Sequence, residues 1–149
     1  MTKASAPQLF YISLKVLLQN SKGQILILKT PKETSDFAGR YDLAGGTIDI
    51  NEIKKDFKKI IAREVAEEIG LKPKYQLSPA PVAISKFRFT SGRNRFYILF
   101  KAKYLGGQIK LSKEHITYRW EKLNQNNIKK LFHPSLAQLL KYYFDSKKS

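Results

Sequence analysis

The sequence predicts an α/β domain in which strands are combined with two amphipathic helices. Three observations support this fold class: apolar and β-branched runs in both halves of the chain, a middle stretch without Gly or Pro, and an amphipathic segment near the C-terminus. With 149 residues, 42% of them hydrophobic, the chain can fold around one core. We therefore expect a single domain over residues 1–149, with disorder confined to about 1–6 and 146–149.

The first predicted strands lie in SLKVLLQNSKGQILILKT, where apolar runs flank a turn-forming cluster from Asn20 to Gly23. The next stretch, PKETSDFAGRYDLAGG, is rich in turn formers. It predicts a loop that ends at the pair Gly45-Gly46 and leads toward a functional site.

The first predicted helix runs from about Asp56 to Glu68 and ends at a Gly70 cap. Helical spacing joins apolar and acidic positions in one stripe: Phe57, Ile60, Ile61, Glu64, Glu67, Glu68 and Leu71. Carboxylates thus stand where core residues are expected. An apolar stripe that turns acidic indicates that the helix leaves the core there and lines a cleft.

The C-terminal half is predicted to be mainly strand, followed by a second helix. KYQLSPAPVAISKFRF and NRFYILFKAKYLGGQIKLS flank a turn at TSGRN, and EHITYRWEKL predicts a further strand. The helix begins at Pro134 in FHPSLAQLLKYYF. One face of the returning strand carries Phe96, Ile98, Phe100 and Ala102. The apolar face of the helix carries Leu136, Leu139, Leu140 and Tyr143.

Composition excludes several classes of protein. No cysteine is present, which excludes disulfides, thiol nucleophiles and Cys-based zinc sites. The longest early apolar run, LFYISLKVLL, contains Lys15 and is too short to span a bilayer, and no cleavage site of a signal peptide follows it. We therefore expect a cytoplasmic protein without a membrane partner.

The formal net charge of +16 indicates anionic partners such as nucleotides, nucleic acid or an anionic membrane surface. A source proteome that favours Lys would produce the same balance.

The three helical glutamates allow two interpretations. Arg63 can pair with Glu67 four residues on, as on any solvated helix. Alternatively, the carboxylates bind Mg²⁺, which takes a few carboxylates and completes its shell with water and substrate phosphate oxygens. The double glycine upstream would let a backbone carbonyl approach the same ions.

The stretch GGTIDINEIKKDFKKIIAREVAEEIGL resembles the Nudix box of the MutT/Nudix hydrolases. That box runs Gly, five residues, Glu, seven residues, Arg-Glu, an aliphatic residue, any residue, Glu-Glu, any residue, Gly and an aliphatic residue. Gly46 and Glu52 match its first part. Its second part is matched without exception by Arg63, Glu64, Val65, Glu67, Glu68, Gly70 and Leu71.

The sequence departs from the box in the spacing before Arg63. Ten residues rather than seven separate Glu52 from Arg63, so counting back from Arg63 places Lys55 where the box has Glu. An insertion of three is just under one helical turn, and we expect the loop before the helix to absorb it. Ala44 also replaces the Pro of LPGG, and Tyr41 stands where the family often has Trp. The role of Glu52 stays open.

The resemblance extends beyond the box, because GRYDLAGG and EHITYRWEKL are similar to segments of many small family members. It implies an α/β/α sandwich in which a mixed sheet carries the acid-bearing helix on one face and the C-terminal helix on the other.

The resemblance also implies roles for individual residues. The ligands implied for Mg²⁺, or for Mn²⁺ in its place, are the Gly45 carbonyl and the carboxylates of Glu64, Glu67 and Glu68. Arg63 would orient these glutamates. Either Glu64 or Glu114 would take a proton from the attacking water, and a solvated loop acid is the alternative interpretation of Glu114.

The reaction implied is hydrolysis of a phosphoanhydride in a nucleoside diphosphate linked to another group. A nucleoside triphosphate cleaved to the monophosphate and pyrophosphate is the default. Lys86 or Phe87 stands where ADP-ribose members have Pro, and FRF replaces the Tyr of dinucleoside polyphosphate members. ADP-ribose, a nucleotide sugar and an RNA 5′ end remain alternatives, as does a nucleotide- or RNA-binding module that has lost catalysis.

The basic segment KFRFTSGRNRFYILFKAK holds six cations and no acid. Lys86, Arg88 and Arg95 are therefore candidates to meet substrate phosphates or an RNA 5′ end. A sheet with buried Phe and solvated Lys and Arg explains the same alternation. We interpret both histidines, His115 and His133, as structural. The sequence leaves a monomer and a homodimer equally open.

Overall fold

Eight strands form one mixed sheet in the part of the chain that the structure describes, residues 5–33 and 36–148 of a computed structural model. The strands are β1 Tyr11–Gln19, β2 Ile25–Lys29, β3 Tyr41–Asp42, β4 Ala44–Thr47, β5 Lys74–Leu77, β6 Ala83–Arg88, β7 Asn94–Gly106 and β8 Thr117–Glu121. The helices are a 3-10 helix at Ile50–Glu52, α1 Phe57–Ile69, α2 Ile128–Leu131 and α3 Pro134–Ser146.

The central strand β1 organises the sheet. It runs parallel to β7 along its whole length and antiparallel to β4. The strand order is β3-β2-β1-β7-β5, with β8 on β2 and β6 on β7. β1 and β2 pair only beside their turn, at Gln19 and Ile25, so β4 takes the neighbouring position along the rest of β1. This arrangement brings Gly45 and Gly46 into the middle of the sheet.

Both faces of the sheet are covered, which confirms the predicted sandwich. The face toward α1 buries the helix residues Ile60, Ile61, Val65 and Ile69. The face toward α3 buries Leu136, Leu139, Leu140 and Tyr143, as their spacing predicts. β7 serves both layers, because its alternate residues Tyr97 and Phe100 belong to opposite cores.

Three local predictions were wrong. The stretch before Gly45 is not a loop throughout, since β3 and β4 form there. The short helix α2 was missed. The core stripe of α1 continues through Val65 and Ile69 rather than to Leu71, which is 91% exposed. Glu68 nevertheless lies within the buried face at 3% exposure, whereas Glu67 lies at its border with its side chain 53% exposed.

The terminal segments predicted to be disordered lie partly outside the described residues, at 1–4 and 149; α3 continues as far as Ser146. Among the described residues, no helix is both long and apolar enough to cross a membrane.

Candidate active site

Helix α1 begins and ends at residues that satisfy its free backbone groups. The Asp56 side chain accepts a hydrogen bond from the Lys59 amide at 2.9 Å. At the other end, Gly70 adopts a φ of 92°, and its amide donates to the Ala66 carbonyl at 3.0 Å. These caps set the register in which α1 presents its acidic residues to the sheet.

Arg63 connects three carboxylates. Its guanidinium donates to both oxygens of Glu52, with 2.7 Å from Nε to Oε2. It also donates to Glu64 at 2.8 Å and to Glu67 at 3.0 Å. These hydrogen bonds raise the pKa of Arg63 above its ordinary value. Arg63 thus fixes the side chain of Glu52 before the helix and those of Glu64 and Glu67 within it.

Glu52 keeps its contact with Arg63 despite the longer spacing. The extra residues fit between the 3-10 helix and α1. Glu52 also takes part in the capping box of the 3-10 helix, in which the Asp49 amide donates to Glu52 Oε1 at 3.0 Å. Glu52 is 3% exposed. The hydrogen bonds from Arg63 hold its pKa below the ordinary value. Glu52 is therefore in a position to brace Arg63.

Glu64 and Glu68 meet the double glycine of β4. Glu68 accepts a hydrogen bond from the Gly45 amide at 2.6 Å and is 3% exposed. A methyl group at Gly46 would lie 2.2 Å from the Glu64 carboxylate. Burial raises the pKa of Glu64 and raises that of Glu68 well above its ordinary value. Two desolvated carboxylates therefore face the same stretch of the β4 backbone.

Gly45 is required where it stands. Its φ is 123°, and an added Cβ would lie 2.0 Å from the Leu14 carbonyl oxygen of the neighbouring strand. Only glycine allows this backbone conformation together with such a close approach.

A buried ion pair lies beneath the acidic residues. Lys15 Nζ donates to the Asp42 carboxylate at 3.0 Å, and both side chains are at least 89% buried. Burial alone would lower the pKa of Lys15, but the charges of Asp42 and Glu68 outweigh it and raise the pKa. This pair was not predicted from the sequence, although a lysine inside the apolar run SLKVLL is a signal for it.

Glu114 and His115 complete the acidic cluster. Donor atoms of Glu68, Glu114 and His115 all lie within 4.8 Å of one another. His115 is 7% exposed, and desolvation lowers its pKa below the ordinary value. His115 therefore lies beside Glu68, and its interpretation as a structural residue stays a prediction. His133, by contrast, caps α3 by accepting from the Ser135 amide at 3.1 Å.

The three predicted substrate cations do not lie together. Arg95 donates to Ser13 at 2.6 Å and to Thr47 at 3.0 Å, next to Gly46. Its Nε is buried and has no hydrogen-bond partner among the described residues. Lys86 and Arg88 are exposed on β6, and strand alternation places them on the opposite face from Arg95.

The structure thus gathers most of the predicted site. Arg63, Glu64 and Glu68 converge on the Gly45-Gly46 backbone, and Glu114 approaches from the segment before β8. Glu67 lies at the rim with its side chain 53% exposed. A cluster of carboxylate oxygens of this kind suits the binding of a hard divalent cation.

A family model and solved structures that match the chain all point to the Nudix family. The family model for the NUDIX domain matches residues 11–143. A MutT protein from Methanosarcina mazei Go1 is 26% identical, with a TM-score of 0.75 over 97% of this chain and 100% of the other. A MutT NUDIX hydrolase from Burkholderia pseudomallei is 19% identical, with a TM-score of 0.66 over 89% and 98% of the two chains.

A NUDIX domain of NrtR from Shewanella oneidensis, crystallised with ADP ribose, is 12% identical, with a TM-score of 0.66 over 95% and 88% of the two chains. No curated protein sequence matches the chain.

Proposed function

Because the chain belongs to the Nudix family of hydrolases acting on phosphoanhydrides, we propose that it is a Mg²⁺-dependent pyrophosphohydrolase that cleaves a nucleoside triphosphate to the monophosphate and pyrophosphate. The observation that carries this proposal is the convergence of Glu64 and Glu68 on the Gly45-Gly46 backbone, with Arg63 braced behind them. A protein that only binds nucleotides has no need for desolvated carboxylates at this position.

The metal would be held by carboxylates of α1 and by backbone. Its ligands in this proposal are the Gly45 carbonyl, Glu64, Glu67 and Glu68. A bound divalent cation neutralises phosphate charge and acidifies water. Arg63 keeps the carboxylates apart in fixed directions, and the Gly45 amide orients Glu68. The protein thereby limits the reorganisation needed when substrate enters.

Two residues are candidates to accept the proton of the attacking water. The Glu64 side chain is only 14% exposed, and desolvation raises its pKa above the ordinary value, the direction that suits a general base. Glu114 is exposed and close to Glu68. The Arg63 hydrogen bond opposes proton uptake by Glu64, so both assignments stay in the proposal.

We propose that Arg95 contacts the substrate rather than Lys86 or Arg88. Arg95 is held by two hydroxyl groups and lies over the Phe89 ring without a carboxylate partner among the described residues, so its positive charge is available to attract a substrate phosphate. Its contact Thr47 directly follows Gly46, so a substrate that reaches the glutamates passes close to it. Lys86 and Arg88 then contribute only to the overall positive field.

Other nucleotide substrates remain within the proposed chemistry. ADP-ribose, nucleotide sugars and RNA 5′ ends carry the same phosphoanhydride, and the positive charge of the chain suits each of them. We propose a cytoplasmic setting, where such nucleotides and free Mg²⁺ are present.

The experiment that tests the proposal is a product screen with purified protein and Mg²⁺. The panel contains nucleoside triphosphates, ADP-ribose, NADH, nucleotide sugars, dinucleoside polyphosphates and 5′-triphosphate RNA. We expect turnover of at least one compound, with triphosphates as the leading class and no product when EDTA is added. Absence of turnover across the whole panel would contradict the proposal.

A second candidate, a non-catalytic nucleotide- or RNA-binding module, is favoured by the +16 charge alone. It predicts binding that weakens steeply with salt and no turnover. Metal-dependent turnover at an ordinary enzymatic rate would exclude it.

A further inference from the structure

Two isoleucines protrude from the segment that joins the 3-10 helix to α1. Ile50 is 87% exposed and Ile53 is 82% exposed. The residues that follow Glu52 are Ile53, Lys54 and Lys55, so the longer spacing before α1 forms an exposed turn here. Neither the isoleucines nor the lysines of this turn take part in the site described above. The proposed reaction therefore does not explain why the turn carries apolar side chains at its tip.

The exposed apolar surface continues from this turn onto the sheet. The Ile48 amide donates to the Ile12 carbonyl at 2.8 Å. Ile12 pairs with Phe96 of β7, which in turn pairs with Lys86 of β6. Strand alternation places the side chains of these strand residues, and that of Ile84, on the face toward α1. Ile12 is 37% exposed and Ile84 is 55% exposed.

Helix α1 begins too far along β7 to cover this part of the sheet. Its first residue, Phe57, packs against Phe100 with 5.9 Å between the ring centroids. Phe100 lies about 13 Å farther along β7 than Phe96. Phe10 packs edge-on against Phe96 at 6.1 Å, but Phe57 itself stays 41% exposed. An apolar surface thus remains open to solvent between the turn and β6.

Basic residues surround this apolar surface. Four exposed lysines of the turn and of the start of α1 form no salt bridge among the residues that the structure describes: Lys54, Lys55, Lys58 and Lys59. On β6, Lys86 and Arg88 are exposed on the face that carries Ile84. The acids of the stretch are engaged, since Glu52 binds Arg63 and Asp56 caps α1. The surface is therefore apolar in its middle and positive at its rim.

We propose that this insertion surface, formed by the exposed isoleucines, Phe57 and the surrounding cations, binds the face of an anionic lipid bilayer. Ile50 and Ile53 enter the headgroup layer, and the lysines contact lipid phosphates and carboxylates. The high exposure of both isoleucines means that they protrude instead of lining a groove. Insertion into lipid needs no complementary shape, whereas the core of a protein interface packs into pockets.

The charge of the surface favours lipid over a second copy of the chain, because two copies would bring like-charged rims together. Surface binding needs neither a spanning helix nor a signal peptide, the two features whose absence underlies the expectation of no membrane partner. An anionic membrane surface is among the partners that the net charge of +16 indicates. The cytoplasmic leaflet carries anionic lipids, so the proposal agrees with a cytoplasmic setting.

The first test is cosedimentation with vesicles at about 0.1 M salt, where the Debye length is about 10 Å. One vesicle is an equal mixture of phosphatidylserine and phosphatidylcholine, and the other is phosphatidylcholine alone. We expect the wild type to bind the mixed vesicles at least about tenfold more tightly. Ile50→Ser/Ile53→Ser keeps the charge and should lose at least about tenfold in affinity for them.

Two matched variants control for net charge and for exposed apolar area. Lys54→Gln/Lys55→Gln should weaken binding to the mixed vesicles at least about fivefold. Lys129→Gln/Lys130→Gln removes the same charge from α2 and should have less than half of that effect. Leu71→Ser removes a side chain that is 91% exposed beyond the other end of α1 and should leave the affinity unchanged.

A second test locates the bound surface without relying on a destabilised variant. Because the chain has no cysteine, Ile53→Cys and Leu71→Cys can each carry a single nitroxide label at ends of α1 that lie about 20 Å apart. With mixed vesicles, we expect the label at position 53 to become shielded from a water-soluble relaxation agent. The label at position 71 should stay accessible.

Three results would overturn the proposal: equal affinity for both vesicles, a label at position 53 that stays accessible in the bound protein, or unchanged binding by Ile50→Ser/Ile53→Ser. A dimer in sedimentation equilibrium that this double variant abolishes would assign the surface to a second copy and also overturn it. Thermal scans establish that each variant is folded. Turnover of a soluble nucleotide tests the proposed function separately, because no residue changed here belongs to the candidate active site.

Discussion

At the scale of single residues, Glu52 determines whether Arg63 can organise the site. We expect Glu52→Gln to lower kcat by about 10- to 100-fold with little change in KM, because it loosens residues that position the metal ligands. The pKa of Glu52 is lowered on folding, so its ionised form stabilises the protein above an ordinary pKa of 4.5. The loss of Tm in the variant should therefore be clear at pH 7 and should shrink as pH falls below 4.5.

The matched control removes another Arg–Glu pair. Glu121→Gln breaks the exposed Arg119–Glu121 contact of 3.1 Å on β8 and should leave kcat unchanged. Steady-state kinetics and thermal scans check both variants. Unchanged kcat in Glu52→Gln would show that the contact between Glu52 and Arg63 does not contribute to catalysis.

Glu68 illustrates a conflict between stability and function. Burial raises its pKa above 4.5, so between pH 4.5 and the folded pKa the metal-free protein holds a proton that the unfolded chain has released. Stability from this group therefore falls as pH rises from 4.5 through the folded pKa. The Glu68→Gln variant has no titrating group at this position, so it removes this loss of stability with rising pH. Its amide oxygen can still accept a hydrogen bond from the Gly45 amide.

We expect metal-free Glu68→Gln to melt higher than wild type at pH 8 by a few degrees, since about 1 kcal/mol shifts the Tm of a domain this size by about 2–4 °C. The gain should vanish near pH 4. A scan of Tm against pH in EDTA measures it, and a lower Tm at pH 8 would mean that the charge of Glu68 is needed to balance Lys15.

Sequence patterns predicted contacts within one helix better than contacts between separate elements. The spacing of Arg63 and Glu67 on one helix face predicts their ion pair, which the structure contains. The contact between Arg63 and Glu52 joins separate elements across a non-standard spacing, so no local rule could place it. The position of His115 likewise depends on how the segment before β8 is tied to α1.

At the scale of elements, the two glycines of β4 should respond differently to the same substitution. A Cβ at Gly46 meets only the movable end of Glu64, whereas one at Gly45 meets the Leu14 backbone at a φ of 123°. We expect Gly46→Ala to stay folded and lose at least about tenfold in kcat, since the carboxylate is displaced. Gly45→Ala should lower Tm strongly.

Gly106→Ala is the control for backbone strain alone, because its φ is 117° and nothing lies within 4 Å of the added Cβ. Gly106→Ala should lower Tm by less than Gly45→Ala does. Equal kcat in Gly46→Ala and wild type would contradict the close contact between β4 and Glu64.

Elements with strong local signals were predicted well. α1 has an Asp56 cap and a Gly70 stop, and the structure places it within one residue of the expected range. β3 and α2 contain two and four residues, too few for a period to be recognised. Their existence depends on pairing with β2 and packing beside α3 rather than on their own sequences.

At the scale of the whole molecule, the net charge of +16 should attract polyanionic substrates. Raising salt from 0.1 to 1 M shortens the Debye length from about 10 Å to about 3 Å. We expect kcat/KM to fall at least about tenfold through KM, with kcat nearly constant. Kinetics at constant free Mg²⁺ measure this effect, and a salt-independent KM would mean that local contacts such as Arg95 dominate binding.

The sandwich as a whole could be expected from two helices and a resemblance, but its strand order could not. β1 and β7 pair in parallel although about 80 residues separate them, and no turn signal reports such a pairing. The burial of both faces of β7 follows from that pairing and explains why its residues do not alternate simply between apolar and polar.

The most direct test of the central claim compares wild type with Glu68→Gln on the best substrate of the panel at saturating Mg²⁺. We expect kcat to fall about 1,000-fold or more, because a metal ligand supports several kcal/mol of charge stabilisation and each 1.4 kcal/mol is about tenfold. Glu121→Gln should retain the wild-type rate. Turnover by Glu68→Gln at the wild-type rate would contradict metal-dependent hydrolysis at this site.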